Sequence, residues 1–234
     1  HLSPPRRPSY RPATGDLERR PAFTEGHFTV QDAAARLVAT VAAPGETDRV
    51  LDMCAAPGGK SFALAIDQKD RGEILSCDVH PHKLSLIERG AERLGIHSVR
   101  TALADGRERH AAWENAADLV VADVPCSGLG IIRKKPDIRY KDPKELAELP
   151  AIQSAILDNA AAYVRPGGVL VYSTCTVLPE ENEGVTTAFL DTHPDFEMEP
   201  FSLPQPIGGC CGQLTLWPQR YGTDGFYICR MRKK

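Results

Sequence analysis

Three short strings in this sequence carry residue types that could do chemistry. The first is Asp52-Met53-Cys54-Ala55-Ala56-Pro57-Gly58-Gly59-Lys60, which ends an apolar run and opens a helical pattern. Small residues and two glycines let backbone approach a ligand closely. The free N–H groups of a helix start favour an anion. The methionine carboxylate of S-adenosylmethionine fits that need. Neither GxxxxGK[ST] nor GxGxxG is present, so a Walker loop and a dinucleotide fingerprint are both excluded. The other two strings are Asp123-Val124-Pro125-Cys126-Ser127-Gly128 and Tyr172-Ser173-Thr174-Cys175-Thr176, each closing an apolar run. A thiolate is both a nucleophile and a good leaving group, so cysteines at run ends are candidates for covalent chemistry. A lone buried cysteine more often behaves as a small hydrophobe. That blander reading is given to Cys77, Cys229 and Cys54. Cys210 and Cys211, in a Gly-rich segment, receive no role.

These strings need elements to hold them. Apolar runs at Arg49–Met53, Glu73–Val79, Ser98–Leu103, Asp118–Val124 and Val169–Cys175 are continuous enough for parallel strands buried on both faces. Helical patterns fall over 30–42, 59–69, 81–94, 143–164 and 179–192. The alternation implies βαβ units and an α/β, mostly parallel, doubly wound sheet. Beyond Pro194, two short strands, Gln213–Trp217 and Gly225–Met231, suggest a C-terminal antiparallel hairpin. Residues 1–26, rich in Pro and Arg, are expected to be an extended lead-in, and 27–234 the catalytic domain. Ligands of such sheets sit beyond the carboxyl ends of the strands. Asp52, Asp78, Asp105 and Asp123 all fall there. Asp78, about 20 residues past the glycine loop, suits the ribose hydroxyls of a nucleoside. Asp105 could accept from the exocyclic amine of adenine, or simply form the Ala-Asp-Gly turn. The expected cofactor set is Cys54, Ala55, Ala56, Pro57, Gly58, Gly59, Lys60, Asp78, Lys83, Asp105 and Asp123.

Composition is that of a globular chain, with 42% hydrophobic and 25% charged residues. No apolar run spans a bilayer and no signal peptide is legible, so the expectation is a cytoplasmic protein without membrane contact. A net charge of −3 is unlike a dedicated nucleic-acid binder and leaves room only for a local basic face. Seven scattered cysteines suit reduced thiols rather than a disulfide framework. No ligand spacing points to a metal. The first residue is His1, and an upstream RNA-binding domain is expected to be missing.

In combination and in order, the cofactor loop and the two cysteine strings resemble the RNA 5-methylcytosine methyltransferases, most closely the bacterial 16S ribosomal RNA (RsmB/Sun) type. The resemblance extends to His27-Phe28-Thr29-Val30-Gln31-Asp32, Arg133-Lys134-Lys135-Pro136-Asp137, Leu178-Pro179-Glu180-Glu181-Asn182 and Asp224-Gly225-Phe226. It implies a Rossmann-like class I S-adenosylmethionine-dependent fold and methylation of carbon 5 of cytosine in RNA. Carbon 5 is a poor nucleophile until a thiolate adds at carbon 6. A carboxyl group that protonates ring N3 accepts the electrons. The implied catalytic set is Cys175 as nucleophile, Cys126 for release of the product, Asp123 at N3, and Lys60. DNA cytosine-5 enzymes attack with the Pro-Cys thiol, so the two roles are reversible on sequence alone. Arg133, Lys134, Lys135 and Arg139 are expected to meet RNA phosphates. Phe28 and Tyr172 could stack on bases, although core packing suits both. Transfer RNA or 23S RNA is an alternative substrate. A methyltransferase of proteins or small molecules would leave both cysteines unused. A ribosome-assembly factor without activity would not need them.

Overall fold

A computed structural model describes residues 17–234. Residues 17–24, expected to be extended, form a 3-10 turn (Leu17–Arg19) and the short helix α1 (Pro21–Thr24). Arg93 explains the docking of this segment: its guanidinium stacks on the Phe23 ring and donates to the Phe23 and Phe28 carbonyls. The rest of the expected lead-in lies outside the described residues.

From α2 (Ala33–Ala42) onward the expected alternation forms. It runs β1 (Arg49–Asp52), α3 (Gly59–Asp67), β2 (Glu73–Asp78), α4 (Pro81–Leu94), β3 (Val99–Leu103), β4 (Ala117–Asp123), α5 (Pro143–Tyr163), β5 (Val164–Thr174) and α6 (Glu183–Thr192). Helix starts follow local chemistry. Asp32 and Asp142 cap α2 and α5 by accepting from Ala34 N and Lys144 N, and Pro81 and Pro143 take first-turn positions where a missing N–H costs nothing. Strands β3-β2-β1-β4-β5 pair in parallel in that order, with the switch between β1 and β4. Successive β4 residues alternate between two cores. Leu119 and Val121 face the layer of α2, α3 and α4; Val120 and Ala122 face that of α5 and α6.

The C-terminal part is more elaborate than a hairpin. β6 (Phe196–Met198), β7 (Phe201–Leu203), β8 (Gly208–Cys210), β9 (Gln213–Leu216) and β10 (Phe226–Lys233) follow in order. β9 and β10 pair antiparallel, with Phe226 opposite Leu216. β10 also enters the main sheet antiparallel to β5, with Tyr227 opposite Thr174. Two other boundaries differ from expectation. β5 begins at Val164, because its register against β4 passes from Ala117↔Val164 to Leu119↔Val169 and absorbs Arg165-Pro166-Gly167-Gly168 as an irregularity. The helix expected over 179–192 is broken at Asn182 (φ −110°, ψ −101°) into a 3-10 turn (Pro179–Glu181) and α6. Asn182 turns its amide away from solvent, accepting from Thr174 Oγ1 and donating to Thr176 O.

Candidate active site

Parallel pairing of β4 and β5 sets Asp123 opposite Ser173. Cys126, three residues past Asp123, and Cys175, two past Ser173, therefore leave the same sheet edge. Their sulfurs lie 3.3 Å apart. The loop after β4 is held down by Gly130 N donating to Cys175 O (3.0 Å) and Gly225 N donating to Gly130 O (2.8 Å). A Cβ at Gly130 would come within 2.0 Å of Gly225 O and 2.8 Å of Cys175 O, so only glycine permits this approach.

The two thiols differ electrostatically. The hydrogen bond from Cys126, joined by the Lys60 ammonium, holds the Cys175 thiol below its ordinary range despite burial and Asp123. That same bond, then burial, pushes the Cys126 thiol well above it. Either thiol could donate by geometry, and the charge of Lys60 on Cys175 favours Cys126 as the donor. Beside them Lys60 Nζ meets Asp123 Oδ2 at 2.6 Å, and Ser173 Oγ donates to Asp123 Oδ1 at 2.7 Å. Burial works against the Lys60 ammonium, but Asp123 keeps its pKa raised. The Phe226 ring lies 5.4 Å from Lys60 Nζ. A thiolate-prone sulfur, a second protonated sulfur and an ammonium–carboxylate pair thus share one strand edge.

The glycine loop joins this edge from β1. Met53 N donates to Val121 O and Ala55 N to Cys77 O, fixing the backbone across both neighbouring strands. Gly58 caps α3 with φ +104°. Asp52, fully buried beneath the loop, accepts from Ser61 Oγ with one oxygen, while the other has no partner. Burial pushes its carboxyl up to about 6. An orphaned buried carboxylate oxygen next to a helix start suits a ligand carrying both an ammonium and a carboxylate. S-adenosylmethionine carries both. Asp78 ends β2, accepts from His80 N and lies 3.8 Å from Lys83 Nζ. Asp105 forms a two-oxygen contact with Arg107, which holds its carboxyl below the usual range. Burial pushes the Cys54 thiol up.

The chain matches the 16S rRNA methyltransferase RsmB/F family over residues 39–232. The chain belongs to that family. It is 43% identical over 91% of its length to the probable ribosomal RNA small subunit methyltransferase B of Bacillus subtilis, covering 49% of that protein. The probable ribosomal RNA small subunit methyltransferase B of Synechocystis is 38% identical over 94% of this chain and 51% of its own length. The solved structure of NSun6 from Pyrococcus horikoshii with SFG superposes with a TM-score of 0.81 at 30% identity, over 94% of this chain and 56% of that one. The chain therefore spans about half the length of the curated relatives it matches. The sheet order, with its antiparallel strand next to β5, is the RsmB/F domain's S-adenosylmethionine-dependent methyltransferase fold.

In this RsmB/F domain the basic string after the Pro-Cys loop is not uniformly free. Lys134 Nζ meets Asp32 Oδ2 at 2.5 Å and Asp224 Oδ2 at 2.6 Å, and Arg133 meets Asp224 Oδ1 at 3.2 Å. Among the described residues no carboxylate pairs with the exposed Lys135 or Arg139. Tyr172 is fully buried and donates to Glu181 O, so it cannot stack on a base. Phe28 packs edge-on against Phe23. Cys77 and Cys229 are buried among apolar side chains, each thiol pushed up to about 12 by burial. Several contacts at the site were not assigned from the sequence, although Ser173 and Glu181 lie within the strings that carry the resemblance and Lys141 closes the basic cluster after the Pro-Cys loop. Ser173 contacts Asp123, and Lys141 donates to Ser127 O. Gln153 and Glu181 lie behind Cys126. Gln153 alone sits in a pattern that reads equally well as a solvated face. No helix among the described residues is long and apolar enough to cross a membrane.

Proposed function

We propose that this chain methylates carbon 5 of a cytosine in 16S ribosomal RNA through a covalent bond between Cys175 and carbon 6 of the ring. The observation that carries this reading is the pair of sulfurs 3.3 Å apart at the ends of β4 and β5, with the Lys60–Asp123 pair beside them. Membership of the RsmB/F family and the names of the relatives support the substrate; the SFG-bound relative supports S-adenosylmethionine. When bound, S-adenosylmethionine supplies an electrophilic methyl group. The α3 start and Asp52 would hold its methionine end, Asp78 its ribose hydroxyls, and Asp105 would accept from its adenine amine.

The chain's own residues account for the rest. Cys175, held toward thiolate, adds to carbon 6, and the electrons of the 5,6 double bond move toward N3. The Lys60 ammonium supplies the proton that N3 takes up, passed through the Asp123 carboxylate it meets at 2.6 Å. Carbon 5 is then an enamine carbon able to take the methyl group. Loss of the carbon 5 proton to water, and return of the N3 proton to the Lys60–Asp123 pair, re-form the ring as the carbon–sulfur bond breaks and Cys175 leaves as thiolate. Cys126, protonated and within hydrogen-bond distance, is the group placed to assist this release. Reversed roles, with Cys126 attacking, would require the thiolate on the sulfur that the environment keeps protonated.

The test is incubation with labelled S-adenosylmethionine and 16S RNA, followed by mapping of 5-methylcytosine. Cys175→Ala is expected to abolish transfer while retaining cofactor binding. Cys126→Ala is expected to accumulate a protein–RNA adduct on denaturing gels. An adduct from Cys175→Ala, with none from Cys126→Ala, would reverse the assignment. Label on transfer RNA or 23S RNA alone would move the substrate.

A further inference from the structure

We propose that Gln153 and Glu181 are positioning residues for Cys126, and that they govern the product-release step more than the attack. The inference rests on the division of labour between the two cysteines given above. Both peptide groups flanking Cys126 are gripped from behind by this pair. Gln153 Nε2, from α5, donates to Pro125 O at 3.0 Å, and Ser127 N donates to Glu181 Oε2 at 2.9 Å. The same Gln153 nitrogen donates to that Glu181 oxygen at 2.8 Å, closing the clamp. Gln153 is fully buried and Glu181 only 1% exposed.

The clamp is itself anchored. Tyr172 OH donates to Glu181 O at 2.6 Å, and the neighbouring Asn182 ties Thr174 and Thr176 on either side of Cys175. Ser127 Oγ donates to Thr176 Oγ1 at 2.7 Å, joining the two loops. A buried carboxylate is costly, and an apolar pair of the same volume would hold a loop as firmly. What the polar pair adds is direction, because it fixes the carbonyl before Cys126 and the N–H after it. Cys175 is held differently. It follows the last β5 residue, Thr174, which pairs with Tyr227, and its carbonyl accepts from Gly130 N. Loosening the clamp therefore frees the Cys126 sulfur; the attacking sulfur loses the Cys126 hydrogen bond but keeps its ladder and the neighbouring Lys60 ammonium.

Glu181→Ala, Glu181→Gln and Gln153→Leu separate these roles in the full chain. Single-turnover methyl transfer and the persistence of the protein–RNA adduct on denaturing gels are the two readouts, with Cys126→Ala alongside. Glu181→Ala and Gln153→Leu should slow the first methyl transfer no more than Cys126→Ala does, since Cys175 keeps the Lys60 ammonium, and hold the adduct roughly tenfold longer, as expected for a lost buried hydrogen bond. Glu181→Gln, which keeps an acceptor for Ser127 N–H, should release faster than Glu181→Ala. Gln153→Leu retains side-chain volume and serves if Glu181→Ala fails to fold. Parental release in a folded clamp variant, or proportional loss of transfer and release, overturns the proposal while leaving the role of Cys126 intact. If Cys126→Ala itself accumulates no adduct, that role falls and the clamp proposal with it.

Discussion

At the scale of single residues, the site depends on charges held away from water. Cys175 is kept toward thiolate by the Cys126 S–H and the Lys60 ammonium. It should therefore alkylate with iodoacetamide at lower pH than an ordinary thiol. Peptide mapping across a pH series would check this. In Lys60→Met the alkylation profile of Cys175 should move to higher pH, because the supporting positive charge is gone; an unmoved profile would remove Lys60 from the activation. Asp52 gives the opposite kind of prediction, one for stability. Burial raises its carboxyl from 3.8 to about 6. The folded state then holds this proton more tightly than the unfolded state. Its stabilisation is complete below the unfolded value and lost as pH rises through 6, amounting to roughly 3 kcal/mol. Relative to the parent, Asp52→Asn should gain stability by about that amount as pH rises across this window, and no further above it. Urea unfolding of both proteins without cofactor measures the difference, and parallel pH profiles would refute the burial argument.

Elements convert these residues into a site, and the glycine loop shows how tightly. Gly58 caps α3 at φ +104°, where an L residue is strained, and an added Cβ would meet the Phe62 ring at 2.6 Å. Strain of this kind costs ~1–3 kcal/mol. Gly58→Ala should weaken S-adenosylmethionine binding by roughly tenfold, because the strain falls on the turn that presents the N–H groups. Calorimetric titration would show it, and unchanged affinity would mean the ligand does not use this turn. Much of this level was legible in the chain itself. The five parallel strands are continuous apolar runs, and their ends fell within a few residues of the observed ones because Gly, Pro and Asp punctuate them. What misled was local chemistry with two meanings. Arg165-Pro166-Gly167-Gly168 reads as a turn, yet it lies within β5 as an irregularity. Pro179 to Asn182 reads as a helix start, yet Asn182 spends its amide on the Cys175 loop. Gln153 sits in an amphipathic pattern whose polar face is partly buried, and nothing local announces that.

Topology and charge balance belong to the whole molecule, and neither was open to inspection residue by residue. The insertion of β10 beside β5 depends on pairings more than fifty residues apart (Tyr227↔Thr174 is one), which no local pattern encodes. The basic string from Arg133 to Arg139 was readable as charge, but its pairing was not. Burial opposes the charge of Lys134, and its bonds to Asp224 and Asp32 hold its pKa raised. That lysine ties α2 to the approach to β10 and has little charge left for phosphate. Lys135 and Arg139 are exposed and keep theirs. On a single strand each phosphate contact contributes about −0.7 to the slope of log affinity against log salt. For an unpaired RNA containing the target cytosine, Lys135→Ala with Arg139→Ala should flatten that slope by about 1.4. Lys134→Ala should leave the slope nearly unchanged and lower stability instead, since it strips a partner from the buried Asp224 carboxylate. Fluorescence anisotropy over a salt titration, paired with thermal melting, distinguishes the two outcomes. A slope that flattens for Lys134→Ala and not for the double variant would place the RNA path on the α2 side of the Pro-Cys loop.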